Sequence, residues 1–161
     1  MLSLLPTPIG NLEDISYRAV RLLTTAQIIF AEDTRVTKSL ISLLSSRLDI
    51  TFPYFEYISL HSHNEQEKLS TIDKTTFEKN CIFVSDAGMP GISDPGMFLV
   101  RYAQENHIPY EVLPGANAAL TALVMSGMCD RNFTFYGFLP HQSKTRITEI
   151  KALLNQDQTV I

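Results

Sequence analysis

Glu32 and Asp33 follow the apolar run Ile28-Ile29-Phe30-Ala31, and Asp86 and Asp94 follow the apolar run Cys81-Ile82-Phe83-Val84. Carboxylates at the exit of a buried strand are suited to accept a proton from a hydroxyl or to hold a cationic ligand. The second pair lies in "SDAGMPGISDPG", Ser85 to Gly96, a loop of glycines, prolines and acids. Two more loops share this character: Pro6-Thr7-Pro8-Ile9-Gly10-Asn11 and Pro114-Gly115-Ala116-Asn117. Glycine lets backbone groups approach a ligand, and proline holds a loop's shape at low entropic cost. Arg35, permanently protonated, suits an anionic partner rather than proton transfer. His61 and His63 can act as bases. Each residue also has a plain structural use. Asp33 is placed to cap a following helix, and Asp86 and Asp94 suit loops that bond their own backbone. Arg35 can pair with Glu32 or Asp33, and His61 and His63 can open a helix with Asn64. Glu32 has the fewest such duties and is the first candidate for a base.

These loops need elements to hold them. Short apolar runs alternate with helix-period segments. Strands are expected at Leu2–Leu5, Ile28–Ala31, Tyr57–Leu60, Ile82–Val84 and Tyr110–Leu113. Helices are expected from an Asp14 N-cap through Leu23, after Arg35 with Val36, Leu40, Ile41, Leu43 and Leu44 apolar, and at Glu65–Glu78, Phe98–Glu105 and Ala116–Met125. Strand, loop and helix in repeated succession predict an α/β fold: an open, mainly parallel sheet flanked by helices. In such sheets ligands bind outside the carboxyl ends of the strands, which gathers the four loops onto one edge. None is a P-loop, and no G-x-G-x-x-G opens a helix. Acidic loops disfavour a phosphate ligand, which wants free amides and positive field. S-adenosylmethionine, with a sulfonium, an ammonium and a phosphate-free adenosine, has the matching character.

The chain has 161 residues, enough for one full domain but short for two. Residues 1–130 read as a domain and 131–161 as a connector and the start of a second α/β domain. In the latter, Phe133–Phe138 is an expected edge strand and Ser143–Leu154 a helix. The apolar Gln158–Ile161 strand is expected to have no partner left to pair it. A formal charge of −4 argues against a broad basic nucleic-acid face. Cys81 and Cys129 lack metal-ligand spacing and read as buried thiols in a reducing compartment. Met1–Leu5 has no basic flank and is cut short by Pro6 and Pro8, unlike a signal peptide. The apolar stretch Ala116–Met128 is shorter than the ~20 residues that span a bilayer. A soluble, cytoplasmic protein with no membrane contact is expected.

Six blocks are recognisable together: "TPIGNLEDISYRA" (Thr7–Ala19), "AEDTR" (Ala31–Arg35), "HSHNEQEK" (His61–Lys68), "SDAGMPGISDPG", "PGANAALTAL" (Pro114–Leu123) and "FYGFLP" (Phe135–Pro140). In type and order they closely resemble the small-subunit 16S rRNA ribose 2′-O-methyltransferases that modify a cytidine, a branch of the tetrapyrrole methylase superfamily. The resemblance implies a two-domain, homodimeric, cytoplasmic enzyme holding S-adenosylmethionine between an N-terminal and a C-terminal domain. It implies donor contacts from Pro8, Gly10, Gly88, Met89, Pro90, Gly91, Ile92, Ser93, Pro114, Gly115 and Ala116. Catalytic candidates are Glu32, Asp33 and Asp86. Substrate contacts are Arg35, His61, His63 and Asp94, with Lys38, Arg131, Lys144 and Arg146 as further RNA candidates; no metal site is expected. The partner would be 16S rRNA within an assembled small subunit. Gly88-Met89-Pro90 stands where the wider superfamily has Gly-Asp-Pro and this branch usually has threonine in the middle. Gln27 stands where an aspartate is common. The resemblance also implies that the family continues past Ile161. Two alternatives stay open at this point: a precorrin-type tetrapyrrole methyltransferase, and a non-catalytic donor-binding or dimerisation fragment.

Overall fold

Side chains of a strand alternate between the two faces of its sheet, and here both faces are apolar. The structure, a computed structural model, describes residues 1–128 and 131–161, so Cys129 lies outside the described residues. Its main sheet contains β1 (Leu2–Leu4), β2 (Ile28–Ala31), β3 (Glu56–Ser59), β4 (Cys81–Val84) and β5 (Tyr110–Val112), in the order β3-β2-β4-β1-β5. All pairings are parallel, with Leu4 in register with both Phe83 and Val112. Leu2, Leu4, Ile28, Phe30, Cys81 and Phe83 face one side, where Leu60, Phe77 and residues of α3 (Glu65–Thr71) and α4 (Met97–Glu105) cover them. Leu5, Ile29, Ala31, Ile82 and Val84 face the other, covered by α1 (Tyr17–Leu23) and α2 (Thr34–Leu48). Phe30 and Phe83 are fully buried; each contributes on the order of 1.5–3 kcal/mol. Cys81 donates to the Thr76 carbonyl at 3.2 Å, and burial pushes its thiol up to about 11.

The strand order sets the direction of each crossover. The chain steps from β1 to β2 to β3 toward one edge, with α1 and α2 on one face. It then returns to β4 and β5 with α3 and α4 on the opposite face, as right-handed crossovers require. The loop after β4 therefore leaves toward the face opposite to that taken by its neighbours β1 and β2. That divergence opens a crevice at the carboxyl ends of these strands.

Several boundaries differ from the sequence reading. Asp14 does not cap α1. Asn11 caps a 3₁₀ turn over Leu12–Asp14, and α1 starts at Tyr17, where the Ser16 side chain accepts from Ala19 N. The helix expected over Glu65–Glu78 stops at Thr71, because Asp73 accepts from Thr75 N and starts a separate 3₁₀ turn over Lys74–Glu78. Asn117 accepts from Leu120 N, so α5 begins at Ala118 rather than Ala116 and runs to Ser126.

The described chain divides into two compact units, 1–116 and 117–161, whereas the sequence reading puts the boundary near residue 130. The second unit contains α5, β6 (Phe133–Thr134), α6 (Ser143–Leu153) and β7 (Thr159–Val160). The terminal strand is not partnerless: β7 pairs in parallel with β6, Phe133 opposite Thr159. Among the described residues no helix is long and apolar enough to cross a membrane.

The capping assignment is measurable. Ser16→Ala should cost about 1 kcal/mol in urea unfolding. Asp14→Ala should stay within about 0.5 kcal/mol of the parent.

Candidate functional site

The loops after β1 and β4 are joined by backbone. Thr7 N donates to Gly88 O and Gly88 N to Thr7 O, each at 3.0 Å, an isolated antiparallel bridge between the first turn and "SDAGMPGISDPG". Gly88 holds this position with φ +83°, and a Cβ there would stand 3.2 Å from Ile9 Cγ2. Only glycine adopts that backbone without strain. The Thr7 hydroxyl adds a bond to Ser85 O at 3.3 Å.

The other two loops lock onto the same place. Leu113 N donates to Leu4 O, and the chain then passes so close to Pro6 that a Cβ on Gly115 would lie 2.7 Å from the proline ring. On the other flank, Asp86 N donates to Glu32 Oε2 and Asp33 N donates to Asp86 Oδ1, both at 3.1 Å. The exits of β1, β2, β4 and β5 thus meet at one edge of the first unit. Within the long loop, Gly91 N donates to Pro95 O at 3.0 Å, and Ser93 takes a left-handed φ of 59°.

The three carboxylates first considered as bases have different duties. Asp33 caps α2 by accepting from Arg35 N at 2.8 Å and also pairs with the Arg35 guanidinium at 2.6 Å. That side-chain pairing, with the backbone bond, holds its carboxyl down to about 2. A carboxylate so stabilised is a poor proton acceptor. Asp86 is occupied in tying the β2 and β4 exits together. Glu32 is half-buried, and burial raises its carboxyl above the usual range. The Asp86 N–H bond offsets part of this, the Asp86 and Asp94 charges raise it further, and His61 lowers it. Asp94 is likewise raised by burial.

Ser85, which the sequence reading treats only as the start of the loop, is buried. Its hydroxyl lies close enough to weigh on the Asp94 carboxyl, yet outside hydrogen-bonding geometry. His61 Nδ1 is a second buried polar atom without a partner, and the His61 ring packs edge-on to His63 at 6.1 Å. The histidine rings do not cap the helix start. Asn64 turns its side chain back to accept from His61 N at 2.8 Å.

A cavity of 580 Å³ opens here, lined by Thr7, Pro8, Asp33, Arg35 and Asp86 on its polar side and by Leu40 and Leu43. A larger depression of 740 Å³ belongs to the second unit and carries none of these loops. The structure thus brings Pro8, Glu32, Asp33, Arg35, Asp86, Gly88, Asp94, His61, Gly115 and Ala116 to one edge. Gly88 and Pro90 are buried, Met89, Gly91 and Ala116 half-buried, and Ile92, Ser93 and Pro114 exposed. Gly10 is exposed and a Cβ there would touch nothing within 4 Å. Among the described residues no cluster of His, Cys, Asp and Glu has the arrangement of a metal site. Thr7 and Ser85 were missed as participants, although both sit inside the blocks that carry the resemblance.

A parallel sheet with glycine-bearing exits clasped around a reversed crossover defines a class. The profile of the family described as Tetrapyrrole (Corrin/Porphyrin) Methylases matches residues 1–161, and the chain belongs to that family. Among curated relatives, it is 52% identical over 162 residues to the "Ribosomal RNA small subunit methyltransferase I" of Campylobacter fetus subsp. fetus, covering all of this chain and 60% of that one. It is 48% identical to the protein of the same name from Helicobacter pylori strain 26695, with 96% and 56% covered. The Bacillus subtilis counterpart is 43% identical, with 100% and 53% covered. The chain therefore spans between about half and three fifths of these relatives' length. These matches bear out the resemblance read from the six blocks. The fold is shared with the native form of uroporphyrin III C-methyl transferase from Thermus thermophilus, at a TM-score of 0.61 and 18% identity over 98% of this chain and 77% of that one.

Two outcomes follow from this geometry. Because Asp33 is held below its unfolded range, the stabilisation from its pairing is present above ordinary carboxylate pH and lost as pH falls toward about 2. An NMR titration should place the Asp33 carboxyl near 2, and Arg35→Ala should raise it part of the way toward the ordinary range, since the backbone N–H of residue 35 still donates to it. Gly115→Ala should cost about 1–3 kcal/mol by overpacking against Pro6, measured by urea unfolding.

Proposed function

We propose that this chain forms the methyl-donor side of an S-adenosylmethionine-dependent methyltransferase that modifies the ribose 2′-hydroxyl of a cytidine in 16S rRNA within the small ribosomal subunit. One observation carries the reading: four strand exits, bound to one another, form an acidic, glycine-lined edge at the crevice beside β4. The named activity of the relatives supports the RNA substrate. Residues 1–130 act as the N-terminal α/β domain and 131–161 as the start of the second, in a cytoplasmic homodimer.

The residues present suit this donor. Glu32, Asp86 and Asp94 supply negative field for a sulfonium and an ammonium, a field that disfavours a phosphate at the same place. Gly88, Met89, Pro90, Gly91, Ile92 and Ser93 offer backbone groups on one flank. Pro8 and Gly10 offer them on another, and Pro114, Gly115 and Ala116 on a third. Ser85, buried at the same edge, sets its hydroxyl beside the Asp94 carboxyl. When bound, the donor supplies an electrophilic methyl carbon on sulfur.

The ribose oxygen forms a bond to that carbon as the carbon–sulfur bond breaks, and the hydroxyl proton passes to a base. Holding the two reactants in line accounts for most of the acceleration. Of the three catalytic candidates, Glu32 is the base: burial raises its carboxyl above the ordinary value and leaves it the better proton acceptor, whereas Asp33 is held down at about 2 and Asp86 is occupied. Asp33 orients Arg35, and Arg35, His61, His63 and Asp94 line the substrate side. Helix α2 supports RNA contact by carrying Arg35, Lys38 and Arg47 and no acidic residue, with Lys38 Nζ 4.9 Å from the Tyr57 ring.

The reading is tested in the full-length protein by calorimetry with S-adenosylmethionine and by methyl transfer to unmodified small subunits, with precorrin as the competing substrate. Binding together with transfer to the small subunit alone is expected. Transfer to precorrin, or heat without any transfer, would replace it. Glu32→Gln should lower the methylation rate by ~10²–10⁴; an unchanged rate removes Glu32 as the base.

A further inference from the structure

Glu65, on the first turn of α3, is only 2% exposed. Carboxylates are almost never buried so completely unless paired. Among the described residues no cation pairs with this one. Its Oε1 accepts from Gly96 N and from Leu99 N, both at 3.0 Å. Gly96 is the N-cap residue of α4, and Leu99 is its third helical residue.

In an ordinary helix start, the N-cap side chain takes the N–H of the third residue. In a capping box, a Glu or Gln at that third position takes the N–H of the cap. Here α4 has neither, since its cap is a glycine with no side chain and its first turn holds no acid. A side chain at position 96 is barred by packing, because a Cβ there would stand 2.9 Å from Phe83 Cε1 and φ is +126°. One oxygen from α3, 31 residues upstream, makes both bonds instead. Negative charge at that place also complements the dipole of α4.

Gly96 is the last residue of the loop that begins at Ser85. The loop has an anchor at Gly88, bonded to Thr7, and another where Gly91 N meets Pro95 O, one residue before the Glu65 contact. At its other end Glu65 is equally fixed: its own N–H donates to His61 O at 3.0 Å, as does that of Asn64. Burial raises the Glu65 carboxyl, and the two N–H bonds offset part of that rise.

We propose that Glu65 is a positioning residue: it holds the Gly88–Ser93 segment at a set distance from the His61–Asn64 turn without itself touching donor or RNA. The proposal rests on the reading of that segment as the donor loop. Its consequence is that donor affinity depends on a buried side chain on the opposite flank of the loop from Thr7.

The test uses full-length protein carrying Glu65→Ala, Glu65→Gln or Glu65→Asp. Amide hydrogen exchange, read without ligand, should show Gly91, Gly96 and Leu99 exchanging at least about tenfold faster in Glu65→Ala, relative to Ile29 and Ala31 in β2. Glu65→Gln, which keeps an acceptor oxygen, should remain within about threefold of the parent. Calorimetry should show Kd for S-adenosylmethionine raised about tenfold in Glu65→Ala and restored in Glu65→Gln. Should Glu65→Ala not fold, Glu65→Asp decides, since it keeps the charge and loses the reach to Leu99; the same local loosening is expected. Equal acceleration at β2 and at the loop, or a folded variant with unchanged Gly91 exchange and unchanged Kd, overturns the proposal. A parent that fails to bind S-adenosylmethionine overturns the donor reading itself, an outcome told apart by the ligand-free exchange contrast.

Discussion

Because β1 to β5 all run parallel, every strand releases its chain at the same edge, and nothing in the sheet itself keeps those exits apart. What distinguishes one exit from another is the face to which the next helix goes. β1 and β2 send theirs to the face of α1 and α2, whereas β4, lying between them, sends its loop to the face of α4. The backbone pair between Thr7 and Gly88 spans that divergence and fixes the distance between the two departing loops. Glu32 and Asp86 on one flank and the Pro114–Ala116 segment on the other attach to the same two loops through their own contacts.

Charge at this edge is divided by duty. Asp33 and Arg35 satisfy each other, and the carboxyl is consequently inert through the physiological range. Asp86 spends its side chain on the Asp33 amide and its own amide on Glu32. The Asp86 N–H bond to Oε2 holds the Glu32 carboxylate in place. A half-buried acid close to two other acids keeps its proton to higher pH than an isolated one. The arrangement separates the residue that can exchange a proton from those that orient it.

The inner strands β1, β2 and β4 were legible in the sequence because burial on both faces demands apolar runs, and Ile28–Ala31 and Cys81–Val84 supply them without ambiguity; the edge strands β3 and β5, partly exposed, were legible only from their place in the strand–helix alternation. The gathering of the loops followed from topology alone. Helix starts were less legible. Asp14 and Ser16 are both good caps two residues apart, and the choice fell to Ser16 because Asn11 had already drawn Leu12–Asp14 into a 3₁₀ turn. The pairing of β6 with β7 joins two-residue strands 26 positions apart, 133 to 159, and no periodicity announces it. Within the site, Asp33 was readable as a cap from its place before a helix. Glu65 was not: it lies in a polar stretch, and its burial is decided by the start of a helix 31 residues further on.

The near contact between Gly96 and the Phe83 ring joins the floor of the sheet to the end of its longest loop. In evolutionary terms this couples two positions thirteen residues apart. A lineage that trimmed the aromatic at 83 would relieve the crowding at 96, yet the backbone there, at φ +126°, would still call for glycine. With no side chain at its cap, the helix start would stay dependent on Glu65. Acidity at 65 and glycine at 96 are thus expected to be kept together, whatever stands at 83.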